Sequence, residues 1–279
     1  MIIIKFSGAL GNQLFQYALY YKLLFLKKEV KADLSLFNKG TESRIFYLKE
    51  IGIQLQEASE KEIKNYATGE KLSQKFLTRI GYKKAYFRDN PVYTYHPEVF
   101  ELDDAYLDGY WQCPKFFQDI RTEIKNSIRF PKLLGKNKEI ETDIFHSNSV
   151  SLHIRLKDYL LLSDVYGEIC TLEYYNKAIG YIKEKIEKPK FFVFSDDIKM
   201  AQRILENIEA VWVDNNSENN AYDDLHLMSL CKHNIIANSS FSWWAAWLNS
   251  NENSVTIAPK QWLNSQKLCD IWCEGWVKL

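Results

Sequence analysis

From Ser149 to Ala258, short apolar runs alternate with stretches of helical periodicity, and this rhythm constrains the fold more than any other feature of the chain. The runs are Ser149–Ile154, Lys190–Phe194, Ala210–Val213, Asn234–Ala237 and Ser254–Ala258. Between them, helices are expected at about Leu172–Glu187, Ile198–Asn207, Ala221–Cys231 and Ser240–Leu248. Such alternation predicts a parallel sheet covered on both faces.

The N-terminal part opens in the same way. Ile2–Phe6 reads as a buried strand, Ser7-Gly-Ala-Leu-Gly-Asn12 as a glycine turn, and Gln13–Lys27 as a helix with a broad apolar face. A second strand is expected at Glu29–Leu34, helices at Glu60–Ala67 and Lys71–Ile80, and a strand at Ala105–Gln112. A helix from Pro114 to Ile128 follows, since Pro suits an early helical position. Phe130-Pro-Lys-Leu-Leu-Gly135 is the best domain crossing, giving domains 1–133 and 134–279. A charged helix is expected at Lys136–Phe145 and a long loop at Asp164–Cys170.

Composition removes several classes. The chain carries 36 basic and 36 acidic residues, so no basic excess points to nucleic acid. Its five cysteines are odd in number and contain no CxxC pair, which reads as reduced thiols. No apolar run approaches the ~18 residues of a membrane span, and Met1–Phe6 is too short for the apolar core of a signal peptide. A cytoplasmic protein is the expectation. Aromatic residues make up 15% of the chain, which suits both a well-filled core and stacking on sugar rings.

Three expected strand ends carry polar clusters. In an open parallel sheet such ends share one edge, where ligands bind. The first is His153, Arg155 and Asp158, an anion-holding set that follows the alternating Val150, Leu152 and Ile154. The second is Ser195-Asp-Asp197; one of Asp196 and Asp197 suffices to cap the next helix, and the other has the acceptor pair that fits the N1–H and N2–H₂ of guanine. The third is Asn238, Ser239 and Ser240, followed by Phe241, where a helix N-terminus offers an anion seat. In the N-terminal part, Gly8 and Gly11 allow close backbone approach, Asn12 and Gln13 bring neutral hydrogen-bonding groups, and Trp111 and Gln112 fall at a strand end. The turn lacks GxGxxG spacing, so a dinucleotide site is disfavoured. No Asp-x-Asp occurs and the histidines lack ligand spacing, so no metal is expected.

Four stretches resemble glycosyltransferase family 11, the α-1,2-fucosyltransferases. They are Gly8-Ala-Leu-Gly-Asn-Gln-Leu-Phe-Gln-Tyr-Ala18, His153-Ile-Arg-Leu-Lys-Asp-Tyr159, Phe192-Val-Phe-Ser-Asp-Asp197 and Ile236-Ala-Asn-Ser-Ser-Phe-Ser-Trp-Trp-Ala-Ala-Trp247. Ile257-Ala-Pro-Lys-Gln-Trp262 fits the family's end. The family's middle motif reads His-x-Arg-Arg-Gly-Asp-Tyr, whereas Leu156 and Lys157 stand here for its second Arg and its Gly.

The resemblance implies an α/β, GT-B-like fold of two Rossmann-type parallel-sheet domains facing across a cleft. It implies an inverting, metal-independent enzyme moving L-fucose from GDP-fucose to the 2-hydroxyl of a terminal β-galactoside, with no cofactor. Arg155 would hold the diphosphate, His153 would lie by the nucleoside, and an Asp of 196–197 would read guanine. Asn238, Ser239, Ser240 and Phe241 would complete the donor site, and Asp158 is the candidate base. Gly11, Asn12, Gln13 and Trp111 would meet the acceptor. An O-antigen setting with peripheral contact at the inner membrane follows from the family and the missing span. A transferase for another GDP-sugar such as GDP-mannose, or a non-catalytic sugar-nucleotide or glycan binder, is the alternative.

Overall fold

Ile2, Ile3 and Ile4 are wholly buried in strand β1 (Ile2–Lys5), as expected for β-branched residues in a sheet covered on both faces. The computed structural model describes residues 1–42, 44–67, 85–156, 163–265 and 269–279. The chain divides into two units, Met1–Arg129 and Phe130–Leu279. The division falls just before the expected crossing at 133, because Phe130 stacks on His226 at 4.5 Å and so belongs with the second unit.

In the first unit, Gly8 (φ +77°) turns the chain from β1 into α1 (Leu10–Phe25). Then come β2 (Val30–Asp33), α2 (Glu60–Ala67), β3 (Ala85–Arg88), β4 (Ala105–Asp108) and α3 (Arg121–Ser127). The sheet is wholly parallel, in the order β2-β1-β4-β3. Ile3 and Tyr106 pack against Ile63 and Tyr66 of α2. Strand β3 was not foreseen: it is four residues long and lies in a polar, weakly patterned stretch. The strand expected to reach Gln112 stops at Asp108, and the chain turns through Trp111 at φ +58°. The helix expected from Pro114 is broken into short 3₁₀ turns before α3, because Phe117 (φ −149°, ψ 5°) leaves helical geometry. The helix expected at 71–80 lies outside the described residues.

The second unit runs α4 (Gly135–Phe145), β5 (Asn148–Ile154), α5 (Leu172–Lys185), β6 (Pro189–Ser195), α6 (Ile198–Ile204) and β7 (Ala210–Trp212). It continues through α7 (Ala221–Leu230), β8 (His233–Ile235), α8 (Ser240–Leu248), β9 (Thr256–Ala258) and β10 (Val277–Lys278). All six strands are parallel, in the order β10-β9-β8-β5-β6-β7. The two-residue β10 is too short to carry a pattern and was not foreseen. Within the expected loop at 164–170, Ser163–Tyr166 forms one helical turn.

The alternation along β5 sorts its side chains. Val150, Leu152 and Ile154 join a core with Tyr174, Tyr175, Ala178 and Ile182 of α5. Each fully buried aliphatic side chain stabilises the unit by about 1.5–3 kcal/mol relative to an exposed one. Ser149 and Ser151 enter a buried polar network. Asn234 donates to Ser151 Oγ at 2.7 Å and to the Met228 carbonyl at 3.0 Å, while Asn249 donates to Asn234 Oδ1 at 2.8 Å. Buried carboxamides satisfied in this way fix strand register as well as stability. Helix α8 buries Trp243, Trp244 and Trp247, and the Trp243 indole donates to the Ile271 carbonyl at 2.6 Å.

Candidate active site

From β5 the chain steps outward through β6 to β7, then returns to β8 on the other side of β5. The connections leaving β5 and β8 therefore diverge, and the crevice beyond their carboxyl ends is the topological switch point where open α/β sheets bind ligands. His153 and Arg155 lie at the end of β5, and residues 236–240 at the end of β8.

The His153 side chain is buried, and its ring lies 5.7 Å from that of Phe241 at the start of α8. Its Nδ1 has no hydrogen-bond partner among the described residues. Burial pushes the imidazole pKa down to about 3, and the positive charge of Arg155 adds to the effect. His153 is thus a neutral hydrogen-bonding group at physiological pH. The Tyr175 hydroxyl donates to the His153 carbonyl at 3.0 Å and fixes the strand end from beneath.

The register of β5 on β6 sets Ile154 opposite Ser195, so the next residues, Arg155 and Asp196, meet. Arg155 Nη1 lies 3.3 Å from Asp196 Oδ2, and the Leu156 N–H donates to Asp196 Oδ1 at 2.9 Å. Asp197 is the other half of the pair: it caps α6 by accepting from the Met200 N–H at 3.0 Å. One carboxylate caps and its neighbour serves Arg155, so in this state both are engaged within the protein. Leu156 packs against the core of this unit. Asp158 lies outside the described residues.

Ser239 takes the N-cap position of α8 with no side-chain cap bond, and the first turn holds no acidic residue. Ser240 and Phe241 are half-buried there. The positive end of α8 is thereby directed at the same edge as Arg155. Asn238 differs from expectation. Its carboxamide donates to the carbonyls of Trp262 (3.2 Å) and Tyr166 (3.5 Å) and accepts from the Cys170 thiol at 3.4 Å. It is a buried clamp between loops rather than a group offered to a ligand. Burial pushes the Cys170 thiol up to about 12, so it is no thiolate nucleophile.

In the first unit the switch point falls between β1 and β4. Asn12 and Gln112 meet there, Gln112 Nε2 donating to Asn12 Oδ1 at 2.8 Å. Gln13 is wholly buried and works inside the fold. It donates to the carbonyls of Gly8 (2.8 Å) and Ile45 (2.7 Å) and accepts from the Tyr47 N–H at 3.0 Å. Gly11 is buried in the first turn of α1. Trp111 is also wholly buried, packed edge-on to Phe116 at 5.9 Å. The Gln13 and Trp111 side chains are thus enclosed within this unit rather than open at the strand end, and the Trp111 Nε1 has no hydrogen-bond partner among the described residues. The glycine turn also carries its own anion: the Gly8 N–H donates to Glu42 at 2.9 Å. Nothing local in the sequence marks Glu42 or the Ile45–Tyr47 contact, because both depend on long-range packing. Among the described residues no group of three His, Cys, Asp or Glu side chains gathers to hold a metal ion. None of the five cysteines is joined in a disulfide.

A family model described as glycosyl transferase family 11 matches residues 1–279. Two Escherichia coli proteins are each 29% identical to the chain. One is an alpha-1,2-colitosyltransferase, matched over 100% of this chain and 99% of its own length. The other is the O-antigen biosynthesis glycosyltransferase WbnK, matched over 98% of each chain. Galactoside alpha-(1,2)-fucosyltransferase 1 of Oryctolagus cuniculus is 27% identical over 54% of this chain and 44% of its own. Among solved structures, a point mutant of FUT1 from Arabidopsis thaliana in complex with GDP superposes with a TM-score of 0.55 at 10% identity, covering 92% of this chain and 70% of that one. That likeness bears on the fold alone, which is α/β and GT-B-like with two parallel sheets.

Proposed function

The chain belongs to glycosyl transferase family 11, and on that premise we propose that it transfers L-fucose from GDP-fucose to the 2-hydroxyl of a terminal β-galactoside, forming an α-1,2 linkage. The observation that carries the reading is the convergence of Arg155, the buried His153 imidazole and the N-terminus of α8, where Ser239 makes no side-chain cap bond, at one switch point. A cationic fork and a helix N-terminus suit a leaving diphosphate. The alpha-1,2 linkage appears in the names of both the colitosyl and the fucosyl relatives.

The transition state for such a transfer is oxocarbenium-like, as in glycoside hydrolysis. Charge then builds on the departing diphosphate, where preorganised donors contribute most. Arg155 and the α8 N-terminus supply those donors, so the reaction needs no divalent cation. His153, neutral and beside Phe241, hydrogen-bonds the nucleoside. Asp158 takes the proton of the acceptor hydroxyl. Asn12, held by Gln112, meets the acceptor in this reading. The setting we propose is O-antigen or other surface-glycan synthesis on the cytoplasmic side of the inner membrane. The WbnK match supports the glycan, and among the described residues no helix is long and apolar enough to cross a membrane.

A second donor has a specific observation in its favour, since the colitosyltransferase matches the whole chain. Colitose is fucose without its 3-hydroxyl, so the two donors differ by one polar contact. The deciding experiment is a transfer assay with the GDP esters of fucose, colitose and mannose. Lactose, galactosyl-GlcNAc and galactosyl-GalNAc serve as acceptors, each with and without EDTA. GDP-fucose is expected to be the best donor in both conditions. Preference for GDP-colitose or GDP-mannose would overturn the donor, and loss of activity in EDTA would overturn metal independence. Donor binding with no GDP release on any acceptor would make the protein a binder.

A further inference from the structure

Asp196 already holds the two donors that an incoming diphosphate needs. One carboxylate oxygen faces the Arg155 guanidinium at 3.3 Å, and the other accepts the Leu156 main-chain N–H at 2.9 Å. A guanidinium and a backbone N–H, side by side at a strand end, form the donor pair that binds phosphate oxygens. The arrangement is set by the sheet, because the register of Ile154 on Ser195 leads the next two residues into contact. It is not a matter of surface chance: the two side chains are only 23% and 15% exposed. Asp197 is engaged elsewhere, one of its oxygens accepting the Met200 N–H as the α6 cap.

The pair carries no net charge. A diphosphate meets a neutral locus while the pair is closed and a cation once it opens. A carboxylate left beside bound phosphates is repelled by them. We propose that Asp196 is a competing internal anion: it holds Arg155 in the empty donor site, yields it to the diphosphate, and retakes it as GDP departs. This rests on the reading of the site as a GDP-sugar site and adds what sets its affinity. Asp196 then acts through Arg155, as a positioning residue that weakens ground-state donor and product binding. It differs from the guanine-reading task expected for the Asp pair in sign: a base reader strengthens GDP binding, whereas a competitor weakens it.

The test is calorimetric titration of GDP and of inosine diphosphate, which lacks the guanine 2-amino group, into the parent and into Asp196→Asn. Asparagine keeps an acceptor for the Leu156 N–H but loses the charge that holds Arg155. GDP and inosine diphosphate should both bind more tightly by about tenfold, the scale of one charge-assisted hydrogen bond, with their ratio unchanged. The donor KM should fall in parallel, whereas a merely structural loss lowers kcat and thermal stability without tightening GDP. Weaker GDP binding with a collapsed GDP-to-inosine-diphosphate ratio would make Asp196 a base reader and overturn the proposal, and so would unchanged binding of both. Asp196→Ser, another acceptor for the same N–H, is the second variant if the Asn form folds poorly. A parent that binds no GDP at all would instead remove the donor reading, and this inference with it.

Discussion

The His153 imidazole lies 5.7 Å, centre to centre, from the Phe241 ring, and its Nδ1 has no hydrogen-bond partner among the described residues. This juxtaposition makes a titration prediction. The folded pKa of about 3 lies below the usual 6.5, because burial and then Arg155 disfavour the cation. Between these values the unfolded chain binds a proton that the folded chain does not. The His153 contribution is therefore neutral above pH 6.5 and increasingly destabilising as pH falls, by about 1.4 kcal/mol per pH unit. Asp224 acts in the opposite sense, since burial raises its pKa to about 7, so the parent's own pH profile mixes both. The difference between parent and His153→Gln isolates the histidine. Measured by urea unfolding, the parent should lose ground to the variant steadily from pH 6.5 to 5. A difference that stays flat with pH would show that His153 titrates normally.

Gln13 gives a stability prediction within the first unit. Its carboxamide makes three buried hydrogen bonds that join the glycine turn to residues 45–47. Gln13→Leu keeps the volume and leaves the Gly8 and Ile45 carbonyls and the Tyr47 N–H without that partner. The expected loss is about 3 kcal/mol of unfolding free energy. The GDP affinity of the second unit should not change in the folded variant. A rise in acceptor KM with unchanged stability would return Gln13 to the acceptor-binding groups.

These cases show which parts of the architecture are legible. Periodicity is a local property, so the apolar side of β5 and the start of α8 at Ser240 read directly from spacing. The glutamine after the glycine turn reads only as a polar group near a mouth. Two of its three partners lie more than 30 positions away, and only folding brings them together. The same holds for the pair at 196–197. The sequence allows one cap and one spare carboxylate, but which is which depends on how β5 registers against β6. The burial of Trp111 is illegible for a different reason. An aromatic residue at a strand end is equally compatible with a cleft and a core, and the left-handed turn at φ +58° that carries it inward leaves no mark in composition.

Trp111 should therefore behave as a core residue. It is wholly buried against Phe116, and its main-chain N–H donates to the buried Asp89 at 2.9 Å. Trp111→Phe keeps an aromatic ring and the main-chain bond, so the acceptor KM should stay within about twofold of the parent value. Trp111→Ala should cost about 3–5 kcal/mol in unfolding free energy. Steady-state kinetics across lactose concentrations, beside chemical unfolding, separate the two effects. A large rise in acceptor KM in the Phe variant, with stability retained, would mean that the indole touches the sugar.

Arg155 carries the heaviest chemical demand, and its variants should grade with geometry. Arg155→Ala deprives the largely buried Asp196 carboxylate of this counter-charge, so some melting temperature should be lost, and transfer is compared at a temperature where the variant is folded. Asp196 keeps its bond from the Leu156 N–H in that variant, which preserves the turn. Transfer should fall by about 10²–10³-fold, the usual effect of removing one preorganised donor from a developing negative charge. Arg155→Lys restores the charge but not the planar fork, so its rate should lie between those of Ala and the parent. Single-turnover transfer from GDP-fucose at saturating acceptor reads the chemical step directly. If the Ala variant transferred at near the parental rate, the leaving diphosphate would have to be stabilised elsewhere. If Lys were no better than Ala, the two-pronged bond rather than the charge would be what the reaction requires.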